Sequence, residues 1–404
     1  MNVSTAQRLA NTGEYYFSQK LREIAALNQA GADIISLGIG SPDLPPHPTV
    51  TAALTTSAAL PSAHGYQSYQ GIPALRAAIA EWYGRAYGVT LDPATEILPL
   101  LGSKEGLMHI GMTFLEAGDT VLIPNPGYPT YRAVAEICGA TIREYNLTEA
   151  GGWLPDLEAL AESDLQGVKM MLVNYPHMPT GTRADVAFLT RLVAFAQEHQ
   201  IMLVHDNPYS FILNDNPTSL LSVPGAREVA LELNSLSKSH NMAGWRVGLL
   251  AGRADWLKEV LRFKSNMDSG MFLPVQQAAV AALALGPEWF SELNATYQAR
   301  RAVVFELLHA LGCQPDPSQT GLFVWAAVPA GYSDGYALSD ELLHEARVFI
   351  TPGGIFGSNG NGYIRVSLCQ PEALLRKATE RIMASSVKAR HAEQREASRV
   401  LTQE

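Results

Sequence analysis

The chain has 404 residues, of which 47% are hydrophobic and 17% charged, and its formal net charge is −10. This length and apolar content allow two domains, each with its own core, and the acidic balance argues against nucleic acid or an anionic membrane as a partner. No apolar stretch reaches the roughly 18 residues of a spanning helix, and residues 1–13 lack the apolar run of a signal peptide. The cysteines Cys138, Cys313 and Cys369 show no metal-ligand spacing, which indicates reduced thiols in a cytoplasmic protein without a metal site.

Strand-like and helix-like segments alternate from about residue 97 to about residue 264, which predicts a mainly parallel, doubly wound α/β sheet. The first pair is a strand over 97–101 and a helix over 105–115, joined by a turn that contains Ser103 and Lys104. The free N–H groups and the dipole at a helix N-terminus favour an anion. Ser103 and Lys104 are therefore candidate phosphate ligands, and an ordinary capped helix start is the alternative.

Two aromatic residues and one carboxylate follow further predicted strands. Tyr128 comes after the strand 120–123 and offers a face on which a planar ring can stack. Asp206 ends the apolar run 201–205, which is typical of a buried parallel strand, and ligands of open α/β sheets bind at such strand ends. Tyr209 lies three residues later, within reach of the same ligand. Taken alone, Asp206 also fits a helix cap or a turn residue.

Lys238 is the most informative residue of the chain. It ends the sequence Ser-Leu-Ser-Lys at 235–238, between predicted strands at 229–233 and 247–251. An apolar, glycine-rich setting lowers the pKa of a lysine because it disfavours the charged form. The neutral amine can then attack a carbonyl group and form a Schiff base.

Ser235 and Arg246 suit a phosphate group placed beside that amine, with Arg246 as a planar and permanently charged clamp. A phosphorylated carbonyl compound held on a lysine describes pyridoxal 5′-phosphate (PLP). Its ring nitrogen requires a carboxylate that keeps it protonated, and Asp206 is the candidate.

In this order and spacing, the motifs resemble the class I/II aminotransferases of PLP fold type I, especially the branch like LL-diaminopimelate aminotransferase, from about residue 15 to about residue 382. The resemblance implies an enzyme that moves an amino group between an α-amino acid and a 2-oxo acid through a Schiff base on Lys238. It implies a cofactor site made of Ser103, Lys104, Tyr128, Asp206, Tyr209, Ser235 and Arg246, with Tyr66 reaching the cofactor phosphate of a neighbouring subunit. It also implies that Arg365 and Gly40 bind the substrate α-carboxylate and that Tyr15 lies on the substrate side.

One position departs from the family pattern. Residues 176–181 read Pro-His-Met-Pro-Thr-Gly, so Met178 replaces the asparagine that bonds the cofactor's phenolate oxygen and supports the carboxylate arginine. A thioether cannot donate a hydrogen bond. We expect the Schiff-base pKa to rise by about one unit, since a charge-assisted bond is worth roughly 1.5–3 kcal/mol. Tyr209 still holds this oxygen, and water or His177 replaces part of the lost bond, so we interpret Met178 as altered tuning of a working site.

The same resemblance divides the chain into four parts. Residues 1–50 form an N-terminal segment that packs with the small domain, 51–286 a large PLP-binding domain, 287–386 a small α+β domain, and 387–404 a polar tail. In the small domain the patterns predict a helix at 287–309, strands at 322–328, 348–351 and 363–368, and helices at 337–346 and 371–384. The expected assembly is a cytoplasmic homodimer with the active site at its interface.

Two other functions share these residues. A β-eliminating C–S lyase would release pyruvate and ammonia without a 2-oxo acid acceptor. A non-catalytic PLP-domain protein would carry Met178 as a sign of decay, but regulators of this kind usually have a DNA-binding domain, and neither end of the chain has a basic extension. The segment 265–270 contains no arginine that would receive a distal carboxylate, so the residues do not determine which amino acid reacts.

Overall fold

The computed structural model describes residues 1, 3–9, 13, 14, 16–385 and 387. Its N-terminal part contains α1 (Tyr16–Gln29), β1 (Ile35–Ser36), α2 (Pro48–Ala58) and α3 (Pro73–Tyr87). The alternating part contains β2 (Ile97–Leu100), α4 (Ser103–Phe114), β3 (Thr120–Asn125), α5 (Pro129–Cys138), β4 (Thr141–Asn146), α6 (Leu157–Glu162), β5 (Val168–Val173), α7 (Val186–Glu198), β6 (Met202–Asp206), α8 (Ala226–Val229), β7 (Ala230–Ser235), α9 (Leu236–Ser239), β8 (Gly248–Gly252), α10 (Ala254–Lys264) and α11 (Leu273–Leu283). The C-terminal part contains α12 (Pro287–Ala310), β9 (Phe323–Ala327), α13 (Gly335–Glu341), β10 (Val348–Phe349), β11 (Thr351–Pro352), β12 (Tyr363–Ser367) and α14 (Glu372–Ala384).

The large sheet has seven strands in the order β2-β8-β7-β6-β5-β3-β4. Its neighbouring strands are parallel except at β8, which is antiparallel to both β2 and β7. Alternate residues of the strands enter two separate cores, as Val121 and Leu122 do on β3, so helices cover both faces. This arrangement confirms the predicted α/β class with a mainly parallel, doubly wound sheet.

Local chemistry explains where several helices begin. Asp185 caps α7, because its side chain accepts a hydrogen bond from the N–H of Phe188. Pro274 stands in the first turn of α11, where its missing N–H costs no helical hydrogen bond. The helix therefore begins at Leu273.

The smaller sheet consists of three antiparallel strands in the order β11-β12-β9. It shares a core with α12 and α14 and with Ile35 and Leu37 of the N-terminal segment. β1 pairs in parallel with β10, which attaches the N-terminal segment to this part of the molecule. The division of the chain into domains, including the bounds of this N-terminal segment, stays a prediction.

Two predictions for this part were imprecise. The single strand predicted at 348–351 is two short strands, because β10 pairs with β1 and β11 pairs with β12. The helix predicted at 337–346 is α13 followed by a π-helical turn over Leu342–Ala346. The polar tail predicted from residue 387 lies outside the described residues apart from Val387. Among the helices of the described part, none has the length and apolar content needed to cross a membrane.

Candidate active site

A cavity of about 600 Å³ opens where β6 and β7 end and α4 begins, facing the small sheet. Most of the residues predicted from the sequence line it together. They are Gly40, Ser103, Lys104, Tyr128, Met178, Asp206, Tyr209, Ser235, Lys238, Arg246 and Arg365. Tyr66 is not among them; its side chain is 92% exposed on the surface. Tyr15 lies outside the described residues.

The turn that contains Gly102 lies at one end of the cavity, where the side chain of Arg246 approaches its backbone closely. Gly102 has a φ of 98°, and a Cβ atom there would overlap the guanidinium of Arg246, so only glycine fits. The 12-residue helix α4 begins at the next residue, Ser103. Burial and the nearby Arg246 charge lower the pKa of Lys104. Two cations beside a helix N-terminus form a cradle that suits a phosphate dianion.

Ser235 and Lys238 stand at the end of β7. The Ser235 hydroxyl accepts a hydrogen bond from Ser237 N–H at 3.1 Å and donates to Val247 O at 3.3 Å, which orients it at the start of α9. Lys238 follows within the same turn of helix, and its Nζ donates to Gly40 O at 2.6 Å.

Burial lowers the pKa of Lys238, and the charges of Arg365 and Arg246 add to this effect. Cys369 favours a higher pKa of Lys238, but its contribution does not outweigh the lowering. The amine therefore reaches its neutral, nucleophilic form at a lower pH than an exposed lysine does.

Asp206 ends β6, and its two carboxylate oxygens differ in their hydrogen bonding. Its Oδ2 accepts from Tyr131 OH at 3.0 Å, whereas its buried Oδ1 has no hydrogen-bond partner within the described part of the chain. Burial raises the pKa of Asp206 to about 6, although the Tyr131 bond and the neighbouring His205 oppose that rise. A buried carboxylate oxygen without a donor fits the protonated ring nitrogen of PLP.

Two residues that the sequence did not single out support Asp206. Tyr131 lies three residues after Tyr128 on α5, and the two rings meet edge to face with centroids 5.6 Å apart. Asn174 donates to Asp206 O at 2.5 Å and accepts from Met178 N–H at 2.8 Å. The strand-end rule that marked Asp206 also applies to Asn174, which directly follows β5. Helical spacing from Tyr128 is the corresponding signal for Tyr131.

The opposite end of the cavity is organised around Arg365 of β12, which is buried. Its Nη2 donates to Gly38 O at 2.8 Å, and its Nη1 contacts Met178 Sδ at 3.2 Å. The guanidinium carbon lies 3.8 Å from the ring centre of Phe323 and 4.7 Å from that of Phe356. A planar cation fixed between aromatic faces is suited to bidentate binding of a carboxylate.

The environment of Met178 changes one expectation. His177 was predicted to replace part of the lost asparagine bond, but it is not part of the cavity lining. Its Nδ1 pairs with Thr180 Oγ1 at 2.8 Å, and burial lowers its pKa to about 3. This part of the prediction was wrong, because the turn directs His177 away from the cavity. Tyr209 does line the cavity, packed edge to face against Phe323 at 6.0 Å.

The helix α1 closes the remaining side of the cavity. Phe17, Ser18 and Leu21 project from one face of it into the cavity. This spacing of three and four residues is the helical signal that would have placed α1 at the site.

Comparison with known proteins agrees with this geometry. Residues 32–382 match the family described as aminotransferase class I and II. The LL-diaminopimelate aminotransferases of Moorella thermoacetica, over 382 residues, and of Desulforudis audaxviator, over 384 residues, are each 41% identical to the chain; the alignments cover 94% and 95% of it and 98% of each relative. Substrate-bound BacF from Bacillus subtilis superposes with a TM-score of 0.90 at 38% identity, covering 95% of this chain and 98% of its own. A probable N-succinyldiaminopimelate aminotransferase from Thermus thermophilus superposes with a TM-score of 0.85 at 33% identity, covering 91% and 99%.

Proposed function

The chain belongs to the aminotransferase class I and II family and transfers an amino group between an α-amino acid and a 2-oxo acid, and we propose that it does so with PLP bound at Lys238. One observation carries the assignment of the cofactor: three features that PLP requires line a single cavity. They are a lysine amine with a lowered pKa, a buried carboxylate oxygen without a donor, and a helix N-terminus flanked by two cations. A lyase would use the same features, but the relatives named above are aminotransferases.

The cofactor end of the cavity binds through residues of the large sheet. Ser103, Lys104, Ser235 and Arg246 would hold the phosphate, and Tyr128 would stack on the ring. Asp206 Oδ1 would accept a hydrogen bond from the ring nitrogen, and the Tyr209 hydroxyl would donate one to the phenolate oxygen. When bound, PLP supplies the electron sink that stabilises negative charge at the substrate α-carbon.

The substrate end binds and orients the amino acid. Arg365 grips the α-carboxylate, and the backbone of Gly40 contacts the same group. Lys238 Nζ would act as the general base that moves the α-proton, a role for which its lowered pKa is suitable. The side chains of Phe17 and Phe323 help to exclude water from this end.

Tyr66 acts on the neighbouring subunit's phosphate in this proposal, and its exposure supports that role. Two segments of the chain carry four other exposed apolar residues. Leu60 and Tyr69 lie in the same segment as Tyr66, and Met267 and Phe272 lie in a second segment. Lys264 joins these segments, because its Nζ donates to Tyr69 O at 3.2 Å. An apolar surface around an exposed tyrosine is suited to contact with a second copy of the chain.

Mixed dimers test the shared site. Subunits carrying Lys238→Ala or Tyr66→Ala should each have low activity alone. A hybrid of the two contains one site with an intact Lys238 and an intact Tyr66, so mixing should restore activity above the sum of the separate samples. Absence of recovery in hybrids that sedimentation shows to be dimeric would rule out a role for Tyr66 in the partner's site.

The cytoplasmic location and the domain boundaries stay predictions.

The visible absorption of the purified protein tests the cofactor and the reaction together. A panel of amino acids, beginning with LL-diaminopimelate because the two relatives carry that name, is added without any 2-oxo acid. Conversion of the bound cofactor to its amino form, with one equivalent of oxo acid released, supports the proposal. Continued release of ammonia with an unchanged band would indicate a lyase, and failure to bind added PLP would refute the cofactor assignment.

A further inference from the structure

A buried histidine–glutamate pair lies directly behind Asp206. The register of β6 and β7 places His205 opposite Glu232, one residue before the alignment of Asp206 with Leu233. His205 Nδ1 is 2.9 Å from Glu232 Oε2, and the two residues are 1% and 0% exposed. The family roles assigned above use neither of them.

Glu232 is surrounded by donors. Its Oε1 accepts from Tyr83 OH at 2.9 Å and from Ser219 Oγ at 2.8 Å. Its Oε2 accepts from Leu220 N–H at 2.8 Å in addition to facing His205. Four hydrogen-bonding groups therefore surround the two carboxylate oxygens of Glu232.

The other side of the His205 ring meets a carbonyl group. Nε2 lies 3.0 Å from Tyr175 O, which can only accept a hydrogen bond. A ring that faces a carboxylate with one nitrogen and a carbonyl with the other is satisfied when both nitrogens carry protons. Tyr175 N–H is 3.3 Å from the same Nε2 and is the contact that a neutral ring would use, at a longer distance.

We propose that His205 is a positively charged positioning residue, ion-paired with Glu232, whose charge keeps Asp206 ionised to accept the N–H of the cofactor ring. This inference rests on the proposed function, since it needs PLP at Asp206. Without a charge on His205, two carboxylates on neighbouring strands, Asp206 and Glu232, would be buried without a cation between them. Such an arrangement favours protonation of one of them.

The remaining titratable groups around the pair do not supply that cation. Tyr83 and Tyr87 of α3 face Glu232, and burial raises the pKa of both, so they stay neutral. Asp206 is the neighbour on the same strand, and Tyr175 contributes only its backbone. Within the described residues, His205 is therefore the group that can place a positive charge beside Glu232, on the face of the sheet opposite to the Asp206 side chain.

Neutron diffraction from crystals of the wild-type protein at about pH 8, with and without added PLP, tests the charge without any substitution. We expect deuterium on both Nδ1 and Nε2 of His205. His177 and His240 serve as neutral references in the same crystal, because burial lowers the pKa of each to about 3. Deuterium on only one nitrogen of His205 would overturn the proposal. The result stands whether or not PLP binds, so it is separable from a failure of the proposed function.

Cofactor binding tests the consequence. His205→Gln keeps hydrogen-bonding capacity without the charge, and Glu232→Gln removes the counter-charge. We expect each to raise the dissociation constant of PLP about tenfold, the equivalent of one pKa unit at Asp206. His205→Lys restores the charge and should remain within about threefold of the wild type.

A PLP analogue in which the ring nitrogen is replaced by carbon separates this effect from simple distortion of the sheet. The wild type, His205→Gln and Glu232→Gln should bind that analogue with equal affinity, since it has no ring N–H for Asp206 to accept. Equal weakening of PLP and analogue, or a His205→Lys variant as weak as His205→Gln, would show a merely structural role and overturn the proposal.

Discussion

The two ends of the cavity are built differently. The phosphate and ring end takes its side chains from the ends of β6 and β7, the start of α4 and the segment before β8, all within the large sheet and its turns. The carboxylate end joins the loop after β1, the turn with Met178 and Arg365 of β12. The hydrogen bond from Arg365 to Gly38 spans 327 residues of sequence.

This difference indicates that the two ends of the cavity have separate tasks and that substitutions at each end should change different properties. One sheet fixes the cofactor end, so substitutions there should change cofactor binding and chemistry. The substrate end depends on how the N-terminal segment and the small sheet meet the large sheet, so substitutions there should change substrate affinity first. Lys238 belongs to both ends, because it stands on the large sheet and donates to Gly40 O at 2.6 Å.

The largest effect is expected at the residue that joins the two ends. Lys238→Ala removes the group that holds the cofactor and moves the α-proton, and we expect kcat to fall by roughly 10⁴-fold or more. The phosphate ligands remain, so the variant should still bind PLP reversibly, which equilibrium dialysis measures. Turnover comparable with that of the wild type would reject the assignment of Lys238.

Arg365→Lys tests the independence of the substrate end. Lysine cannot make the planar, bidentate contact, so we expect KM for the amino acid to rise about 100-fold, corresponding to one or two charge-assisted bonds. The dissociation constant of PLP should hardly change. Lys104→Met is the matched control: it should weaken PLP binding with little change in KM. If each variant changes both constants equally, the two ends are not separate.

The pH dependence of stability tests the burial of Asp206 in the cofactor-free protein. Folding raises its pKa from 3.8 to about 6, so between these values the folded protein keeps a proton that the unfolded chain releases. Its contribution to the free energy of unfolding therefore falls as the pH rises through this window, by about 2–3 kcal/mol. Asp206→Asn should lack that decrease and be more stable than the wild type above pH 6 in urea titrations. Parallel pH profiles for the two proteins would contradict the assignment.

The smallest effect is expected at the boundary between the ends. Met178→Asn restores a donor to the phenolate oxygen while its amide oxygen takes over the contact with Arg365. We expect the pKa read from the visible band of the bound cofactor to fall by about one unit. Met178→Leu, which removes the sulfur without adding a donor, should leave that pKa near the wild-type value. No shift in the asparagine variant would show that Met178 does not tune the cofactor.

The sequence predicted the cofactor end more completely than the substrate end. Asp206 ends a strand, and Ser103 and Lys238 each lie within three residues of a strand end. The rule for ligand sites in open α/β sheets applies there without knowledge of distant contacts. Tyr131 and Asn174 follow related local signals, but helix α5 and strand β5 were not singled out. Arg365 carries no comparable local signal, because its partners belong to other segments, and only the family resemblance pointed to it.

By itself, the sequence determined the alternation of strands and helices, the turn that contains Ser103 and Lys104, and the place of Lys238 between two strands, because apolar spacing and turn residues act over a few positions. The tertiary structure decided which strand ends share a cavity, where His177 points and that Met178 contacts Arg365 at 3.2 Å. It also decided that His205 meets Glu232 across the β6–β7 register. Such contacts depend on how strands pair and how the two sheets pack, and local propensity does not specify either.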